Sequence, residues 1–224
     1  MRIGLITIGQ SPRDDLVPDL RPLLPGVEII ERGALDGLSP EELAGLARDP
    51  RGSLLVTRLR DGQGVVVGKT DLLPKVRACV EQLAEEGVDL IGLLCTGSFP
   101  PFSVGAPVLY PERLLMHFVA AISQGSRVGI LTPEAGQMAD QHRRWARAGL
   151  ADLEVVPVNP YTPDGARQIR EAAERLAAWK ADLVVMDCLG YTEVMRQVVR
   201  KKLRRPVILA RTVLARAIAE LLSH

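Results

Sequence analysis

Short apolar runs alternate with amphipathic segments along most of the chain. The runs Arg2–Ile8, Val88–Leu94 and Leu183–Met186 are bounded by turn residues. Such runs are typical of strands buried on both faces. Between them, Asp71–Glu86 and Gly165–Trp179 place apolar residues at helical spacing. Strands that alternate with helices predict an α/β fold with parallel sheets.

The other predicted strands, helices and turns have weaker sequence patterns. Asp61-Gly62 lies between two strand-like runs and predicts a two-residue hairpin turn. Pro12–Leu23 is a poor helix because of its prolines. The remaining predicted strands are Val27–Glu31, Leu54–Arg60, Gln63–Gly68, Pro107–Tyr110, Arg127–Thr132, Leu153–Val158 and Pro206–Ile208, and the remaining predicted helices are Ser39–Arg48, Glu112–Gln124 and Thr212–Leu222.

The same order of elements occurs twice. R-I-G-L-I-T at Arg2 is matched by R-V-G-I-L-T at Arg127, and Cys95-x-Gly97 is matched by Cys188-x-Gly190. The offset falls from 125 residues at the first strand to 93 at the cysteines, so the first half is longer by 32 residues. The alternative is that unrelated strand–helix–strand units look alike.

The repeat predicts two halves related by a pseudo-two-fold axis. Residues 1–110, with an insertion at about 39–70 that carries the hairpin, form the first half, and the C-terminal helix 211–224 completes it. Residues 111–210 form the second half. Ligands bind at the carboxyl ends of strands in open α/β sheets. We therefore expect Cys95 and Cys188 to lie on opposite walls of one interdomain cleft.

Composition restricts the partners and the cellular compartment that the sequence predicts. Lys and Arg number 28 against 27 Asp and Glu, a net charge of +1, which argues against nucleic acid and anionic membranes as partners. The basic run Arg196–Arg205 is interpreted as the solvated end of a helix. Three unevenly spaced cysteines, and no signal peptide or transmembrane run, indicate a cytoplasmic protein. The histidines His117, His142 and His224 lack metal-ligand spacing, so no metal is predicted.

Two thiols suit proton transfer at carbon. One thiolate removes a proton and the other thiol donates one, which requires groups that titrate near the working pH. The alternative is that each cysteine packs as a small apolar side chain, and Cys79, in the middle of a helix, is interpreted in that way. Strand alternation points Asp187 away from Cys188, so that its carboxylate does not oppose a thiolate.

Loops at the same strand ends supply candidate contacts for a substrate carboxylate. Their hydroxyls either bind ligand or stabilise turns. Lys69, Arg58 and Arg60 either reach the substrate or are solvated strand charges. The predicted substrate-binding residues are Thr7, Gly9, Gln10, Ser11, Thr96, Gly97, Ser98, Thr132, Pro133, Glu134, Gly190, Tyr191 and Thr192.

Several stretches resemble one family throughout the chain. L-I-T-I-G at Leu5, M-D-C-L-G-Y at Met186 and P-V-I-L-A-R-T-V-L-A-R at Pro206 resemble the AroM family, within the aspartate/glutamate racemase superfamily. The resemblance implies two flavodoxin-like halves, no cofactor, and a cysteine pair or a single cysteine as the acid/base group. The amino-acid racemases of the superfamily carry C-N-T and G-C-T, whereas the thiols here lie in C-T-G and D-C-L-G.

Three hypotheses of function follow. The first is a cofactor-independent isomerase, racemase or decarboxylase that acts on a small carboxylic acid through Cys188 and Cys95. The second is a non-catalytic protein that binds a small carboxylate. The third is that the hairpin insertion mediates assembly, for example of a homodimer, and that the cleft is vestigial.

Overall fold

Two parallel sheets organise the protein. The computed structural model describes residues 1–46 and 53–222. One compact unit comprises Met1–Glu112 and the chain from Leu214 onward, and the other comprises Arg113–Val213. Each unit contains a four-stranded parallel sheet. The predicted α/β fold with two parallel sheets is confirmed.

The first unit holds the longer set of elements. A short 3₁₀ turn, Arg21–Leu23, follows its first helix. Its strands and helices are β1 Arg2–Thr7, α1 Val17–Leu20, β2 Glu28–Gly33, α2 Pro40–Gly45, β3 Leu54–Arg58, β4 Gly64–Gly68, α3 Lys69–Glu85, β5 Leu90–Leu93 and β6 Val108–Leu109. Helix α4, Pro111–Ile122, begins where this unit ends.

The second unit continues the alternation. A 3₁₀ turn, Ala135–Gln137, precedes its first complete helix. Its strands and helices are β7 Val128–Thr132, α5 Met138–Arg147, β8 Leu153–Pro157, α6 Gly165–Ala178, β9 Leu183–Met186, α7 Glu193–Leu203, β10 Val207–Leu209 and α8 Ala210–Leu222. Helix α8 crosses into the first unit at Leu214. Predicted helix ends at Arg48 and at residues 223–224 lie outside the described residues.

The two sheets have the same topology. Their strand orders are β2-β1-β5-β6 and β8-β7-β9-β10, so each strand occupies the place of its counterpart. Matching contacts extend the repeat, because the backbone N–H of Arg2 donates to Asp89 at 2.7 Å and that of Arg127 donates to Asp182 at 3.1 Å.

A glycine in the central strand of each sheet admits a helix side chain. A Cβ built at Gly4 would lie 2.6 Å from Leu83 Cδ1, and one at Gly129 would lie 2.7 Å from Leu176 Cδ2. Both leucines are fully buried. The missing Cβ therefore lets α3 and α6 pack closely against their sheets.

The hairpin insertion forms a small sheet of its own. Strands β3 and β4 pair antiparallel, from Leu54 opposite Gly68 to Arg58 opposite Gly64. The predicted two-residue turn is wrong, since the N–H of Leu59 donates to the carbonyl of Gln63 at 2.8 Å. This bond leaves three loop residues, and the last of them, Gly62, has a φ of +94°, which suits a three-residue hairpin.

Sequence analysis missed helix α5. Gln141 and Trp145 are buried on it, and their spacing from Met138 is helical. Most residues of α5 are polar or charged, so the segment lacks the aliphatic residues from which the other helices were predicted.

None of the helices in residues 1–46 and 53–222 has the length and apolar character needed to cross a bilayer.

Replacing Gly129 with alanine is expected to destabilise the fold by roughly 1–3 kcal/mol, because the new methyl group overpacks the buried Leu176. Urea unfolding measures the change in the free energy of unfolding. Gly105→Ala is the control, since a Cβ there meets no heavy atom within 4 Å. Equal stability of the two variants would show that Leu176 has room to move.

Candidate active site

The predicted loops of the first unit leave its sheet at one edge. Ile6 of β1 pairs with Leu93 of β5, and the N–H of Leu94 donates to the carbonyl of Ile6 at 2.7 Å. The loops that follow Thr7 and Leu94 therefore start side by side. The structure brings the Thr7–Ser11 segment and the Cys95 loop to the same end of the parallel sheet.

Cys95 lies in a tight turn. Its Sγ accepts a hydrogen bond from the N–H of Gly97 at 3.2 Å, and the residue is half-buried. A Cβ built at Gly97 would lie 2.7 Å from Leu55 Cδ2 of the hairpin. The turn therefore needs glycine so that it can pack against the hairpin while its amide reaches the sulfur.

The polar side chains after β1 bond within the first unit. The carboxamide of Gln10 donates to the carbonyl of Leu35 at 3.3 Å and accepts from the N–H of Arg60 at 3.0 Å. The Ser11 hydroxyl donates to Asp36 at 2.5 Å. These bonds tie both side chains to neighbouring loops and to the hairpin.

A buried arginine fixes the same loop. Arg13 is 3% exposed, donates to Thr7 Oγ1 at 2.9 Å, and forms two hydrogen bonds with Asp15 at 2.7 and 2.8 Å. Arg58 of the hairpin lies 3.6 Å from Asp15. Burial alone would raise the pKa of Asp15, but the Arg13 hydrogen bonds and the charges of Arg13 and Arg58 outweigh it and hold the pKa below its usual value.

The hairpin cations contact protein groups of their own unit. Arg58 also donates to the carbonyl of Gly62 at 3.1 Å, and Arg60 donates to the carbonyl of Ser11 at 2.9 Å and lies 3.5 Å from Asp36. These contacts tie the hairpin to the loop after β1. Lys69 begins α3 directly after the hairpin.

The second unit repeats the edge arrangement. Leu131 of β7 pairs with Met186 of β9, and the N–H of Asp187 donates to the carbonyl of Leu131 at 3.0 Å. Cys188 is 7% exposed, and its Sγ accepts the N–H of Gly190 at 3.4 Å. The Cys-x-Gly turn of the first unit thus recurs at the equivalent strand end.

Several groups brace the Cys188 loop. Arg211, at the start of α8, donates to the carbonyls of Leu189 and Gly190 at 3.0 and 3.3 Å. Tyr191 is fully buried and donates to the carbonyl of Val158 at 2.7 Å. Burial raises the pKa of Tyr191 well above its usual value, and the charges of Cys188 and Asp187 add to this effect, so its phenol stays protonated.

Asp187 lies in a buried polar network with α5. Its side chain is fully buried, forms an ion pair with Arg144, and accepts from Trp145 Nε1 at 3.2 Å. Gln141 accepts from both Arg144 and Trp145, at 2.7 and 3.0 Å, and donates to Thr132 Oγ1 at 3.4 Å. The network therefore links the strand ends of β9 and β7.

The predicted orientation of Asp187 is confirmed. Val184, Met186 and Cys188 belong to one apolar cluster with α6 and α7, whereas Asp187 bonds to α5. Side chains thus continue to alternate between the two faces of the sheet past the last residue of β9, so the Asp187 carboxylate and the Cys188 thiol lie on opposite faces.

The other predicted contact residues differ in exposure. Thr192 caps α7 by accepting the N–H of Met195 at 3.3 Å, and the Thr132 hydroxyl donates to Gln137 at 2.9 Å. Ser98 is exposed. Gly9, Thr96 and Pro133 are buried, and Glu134 is half-buried. Within the described ranges, no three His, Cys, Asp or Glu side chains form a group that could hold a metal ion.

Sequence analysis missed three arginines that support these loops, Arg13, Arg144 and Arg211. Arg211 has a visible signal, because it follows an apolar strand in an otherwise apolar stretch. Arg13 and Arg144 lie in segments with weak patterns, and only the folded chain shows their carboxylate partners.

A family model described as AroM protein matches residues 3–222. The chain belongs to the AroM family. Among curated proteins, no sequence matches this AroM-family chain significantly.

Solved structures share the fold of this AroM-family chain. The glutamate racemase from Aquifex pyrophilus is 16% identical with a TM-score of 0.62, and the match covers 99% of this chain and 84% of that one. An unliganded arylmalonate decarboxylase is 15% identical with a TM-score of 0.60, with coverage of 100% and 92%. The maleate isomerase Iso from Pseudomonas putida S16 is 14% identical with a TM-score of 0.59, with coverage of 99% and 92%. At such identities the likeness concerns the fold.

Asp15→Asn is expected to destabilise the AroM-family chain by about 3 kcal/mol at neutral pH, because it removes the carboxylate charge that forms two hydrogen bonds with the buried Arg13. The pKa of Asp15 is lower in the folded state than the unfolded value of about 3.9. The stabilisation that ionised Asp15 gives to the folded state is therefore fully present above a pH of about 3.9 and is lost as the pH falls through the folded-state pKa. Urea unfolding from pH 7 to pH 2 should show the difference from wild type shrinking below about pH 4.

Asp14→Asn is the matched control, since Asp14 is the exposed neighbour of Asp15. Its effect is expected within about 0.5 kcal/mol at every pH. A difference between Asp15→Asn and wild type that stays constant down to pH 2 would contradict the electrostatic explanation.

Alkylation should distinguish Cys79 from the two loop thiols. Burial, with the nearby Asp36 carboxylate as a further cause, raises the pKa of Cys79 to about 11, so its reactive thiolate is scarce at neutral pH. Iodoacetamide at pH 7.5, followed by peptide mass spectrometry, is expected to modify Cys95 and Cys188 before Cys79. Modification of Cys79 first would contradict this order.

Proposed function

We propose that this protein catalyses cofactor-independent proton transfer at the carbon next to a carboxylate of a small carboxylic acid, as a racemase, isomerase or decarboxylase. The observation that carries the proposal is the Cys-x-Gly turn, which occurs at the equivalent strand end of both sheets with an amide donated to each sulfur. An amide donor favours the charged form of its acceptor, which here is the thiolate.

The proposed step needs no external oxidant or reductant. The Cys188 thiolate takes the proton, so that the C–H bond breaks, an S–H bond forms, and the electron pair enters the carboxylate as an enediolate. The Cys95 thiol then donates its proton to carbon, and the net result is inversion or migration of hydrogen. In the decarboxylation of a malonate, the C–C bond to one carboxylate breaks and carbon dioxide leaves. The electron pair of that bond enters the remaining carboxylate as an enediolate, and a thiol then protonates the carbon.

Contact with the substrate carboxylate is proposed for loop groups beside the thiols. Ser98 supports this, because it is exposed and lies just after the Cys95 turn. Backbone N–H groups at such loops stabilise a developing enediolate charge. The racemase, decarboxylase and isomerase that share the fold support the reaction class. The altered neighbours of both thiols argue against an amino-acid substrate.

A second candidate is non-catalytic binding of a small carboxylate. One observation favours it: Cys188 is only 7% exposed and its loop is braced by Arg211 and Tyr191. A thiol that must reach a substrate would need this loop to open, whereas a structural cysteine would not.

Solvent deuterium exchange tests catalysis without knowledge of the product. The protein is incubated in D₂O with a panel of small carboxylic acids that carry a hydrogen on the saturated carbon next to the carboxylate, including monosubstituted malonates and 2-amino diacids. We expect NMR to show deuterium incorporation, or loss of carbon dioxide, for at least one acid. Cys188→Ser and Cys95→Ser should each slow the reaction by about 10²-fold or more.

Cys79→Ser is the matched control. Its thiol lies within α3 and belongs to neither cysteine loop, so the substitution is expected to leave the rate of exchange unchanged. Exchange that survives both loop substitutions would overturn the thiol mechanism. Saturable binding of a panel acid, with neither exchange nor decarboxylation, would favour the binding protein over the enzyme.

A further inference from the structure

We propose that Arg144 sets the ionisation of Cys188 by balancing the charge of Asp187, which makes Arg144 a positioning residue for the second-unit thiol. This inference rests on the proposed function, in which Cys188 works as a thiolate. It adds a residue on α5 that acts through its ion pair with Asp187.

A buried carboxylate directly precedes the Cys188 thiol. The Asp187 side chain is fully buried and directly precedes Cys188 in the chain. The carboxylate lies on the opposite face of the sheet from the thiol, but both groups are buried, and an unbalanced negative charge on the adjacent residue would still raise the pKa of the thiol through the low-dielectric interior. The ion pair with Arg144 supplies the balancing charge, and Arg144 itself is only 17% exposed.

Hydrogen bonds hold the Arg144 guanidinium in place. Arg144 donates to Gln141 at 2.7 Å, and the Trp145 N–H, which also bonds Gln141, lies 3.2 Å from Asp187. Gln141 in turn bonds to Thr132 at the end of β7. Two strand ends and one helix therefore determine the position of the pair.

The equivalent position of the first unit carries an apolar residue. Leu94 precedes Cys95 there and is buried, although the strands, the turn and the amide–sulfur bond are the same. The fold therefore does not require an ion pair at this position. A buried pair is expensive to maintain compared with apolar packing, so its presence beside Cys188 indicates a role in the chemistry of that thiol.

The charged and titratable groups around Cys188 come from several elements. Asp187 and Tyr191 flank it in the chain, Tyr161 contacts the Gly190 turn from the β8–α6 loop, Arg144 comes from α5 and Arg211 from α8. The phenols of Tyr191 and Tyr161 are neutral at physiological pH. Among these groups, Asp187 and Arg144 form a pair that substitution can unbalance in either direction.

The test is the pH dependence of Cys188 alkylation in a Cys79→Ser, Cys95→Ser background. Arg144→Gln should move the midpoint of the rate upward by about one pH unit, and Asp187→Asn should move it downward by a similar amount. The Arg144→Gln, Asp187→Asn double variant should return to within a few tenths of a pH unit of the background. Arg144→Lys keeps the charge and should stay close to the background.

Opposite shifts with recovery in the double variant would support the inference, because general loosening of the loop moves every variant in one direction. Unchanged midpoints in folded Arg144→Gln and Asp187→Asn would overturn it, as would shifts of the same sign. If Asp187→Asn does not fold, an equal midpoint for Arg144→Gln and Arg144→Lys overturns it. Opposite shifts, together with no deuterium exchange by the wild-type protein on the whole panel of acids, would support the control of the thiol and overturn the catalytic proposal alone.

Discussion

Close packing of a helix on the central strand of each parallel sheet is the constraint on which this structure depends. Parallel strands need crossover helices, and both faces of the sheet must then be covered. Gly4 and Gly129 leave the space into which Leu83 and Leu176 fit. Once the helices are seated, neighbouring strand ends lie at one edge, and the loops that carry Cys95 and Cys188 start there.

The two units support the same turn in different ways. In the first, the loop after β1 is tied to the hairpin by arginine contacts, and Gly97 packs against Leu55. In the second, Arg211 and Tyr191 brace the turn, and the Asp187 network joins the two strand ends. The backbone arrangement is thus common to both units, while the polar side chains around it differ.

Hydrophobic periodicity predicted most strands and the hairpin, because these depend on the local pattern of apolar residues. The internal repeat predicted that Cys95 and Cys188 occupy equivalent positions in the two sheets. Alternation also predicted the direction of Asp187. Helix α5 was missed because it has few aliphatic residues, and because Arg144 and Trp145 on it bond to a carboxylate 42 or more residues further along the chain. The turn at Asp61-Gly62 was wrong by one residue, since strand register decides which residues close the loop.

The separate two-stranded sheet formed by β3 and β4 has a consequence for how the molecule opens. A hairpin of two strands is marginal by itself and depends on packing and on the contacts at its tip. Those contacts run to Gln10 and Ser11, about fifty residues earlier in the chain. Separation of the hairpin would therefore release both segments together, so they form one cooperative unit of local unfolding, whose opening exposes the Cys95 turn packed against Leu55.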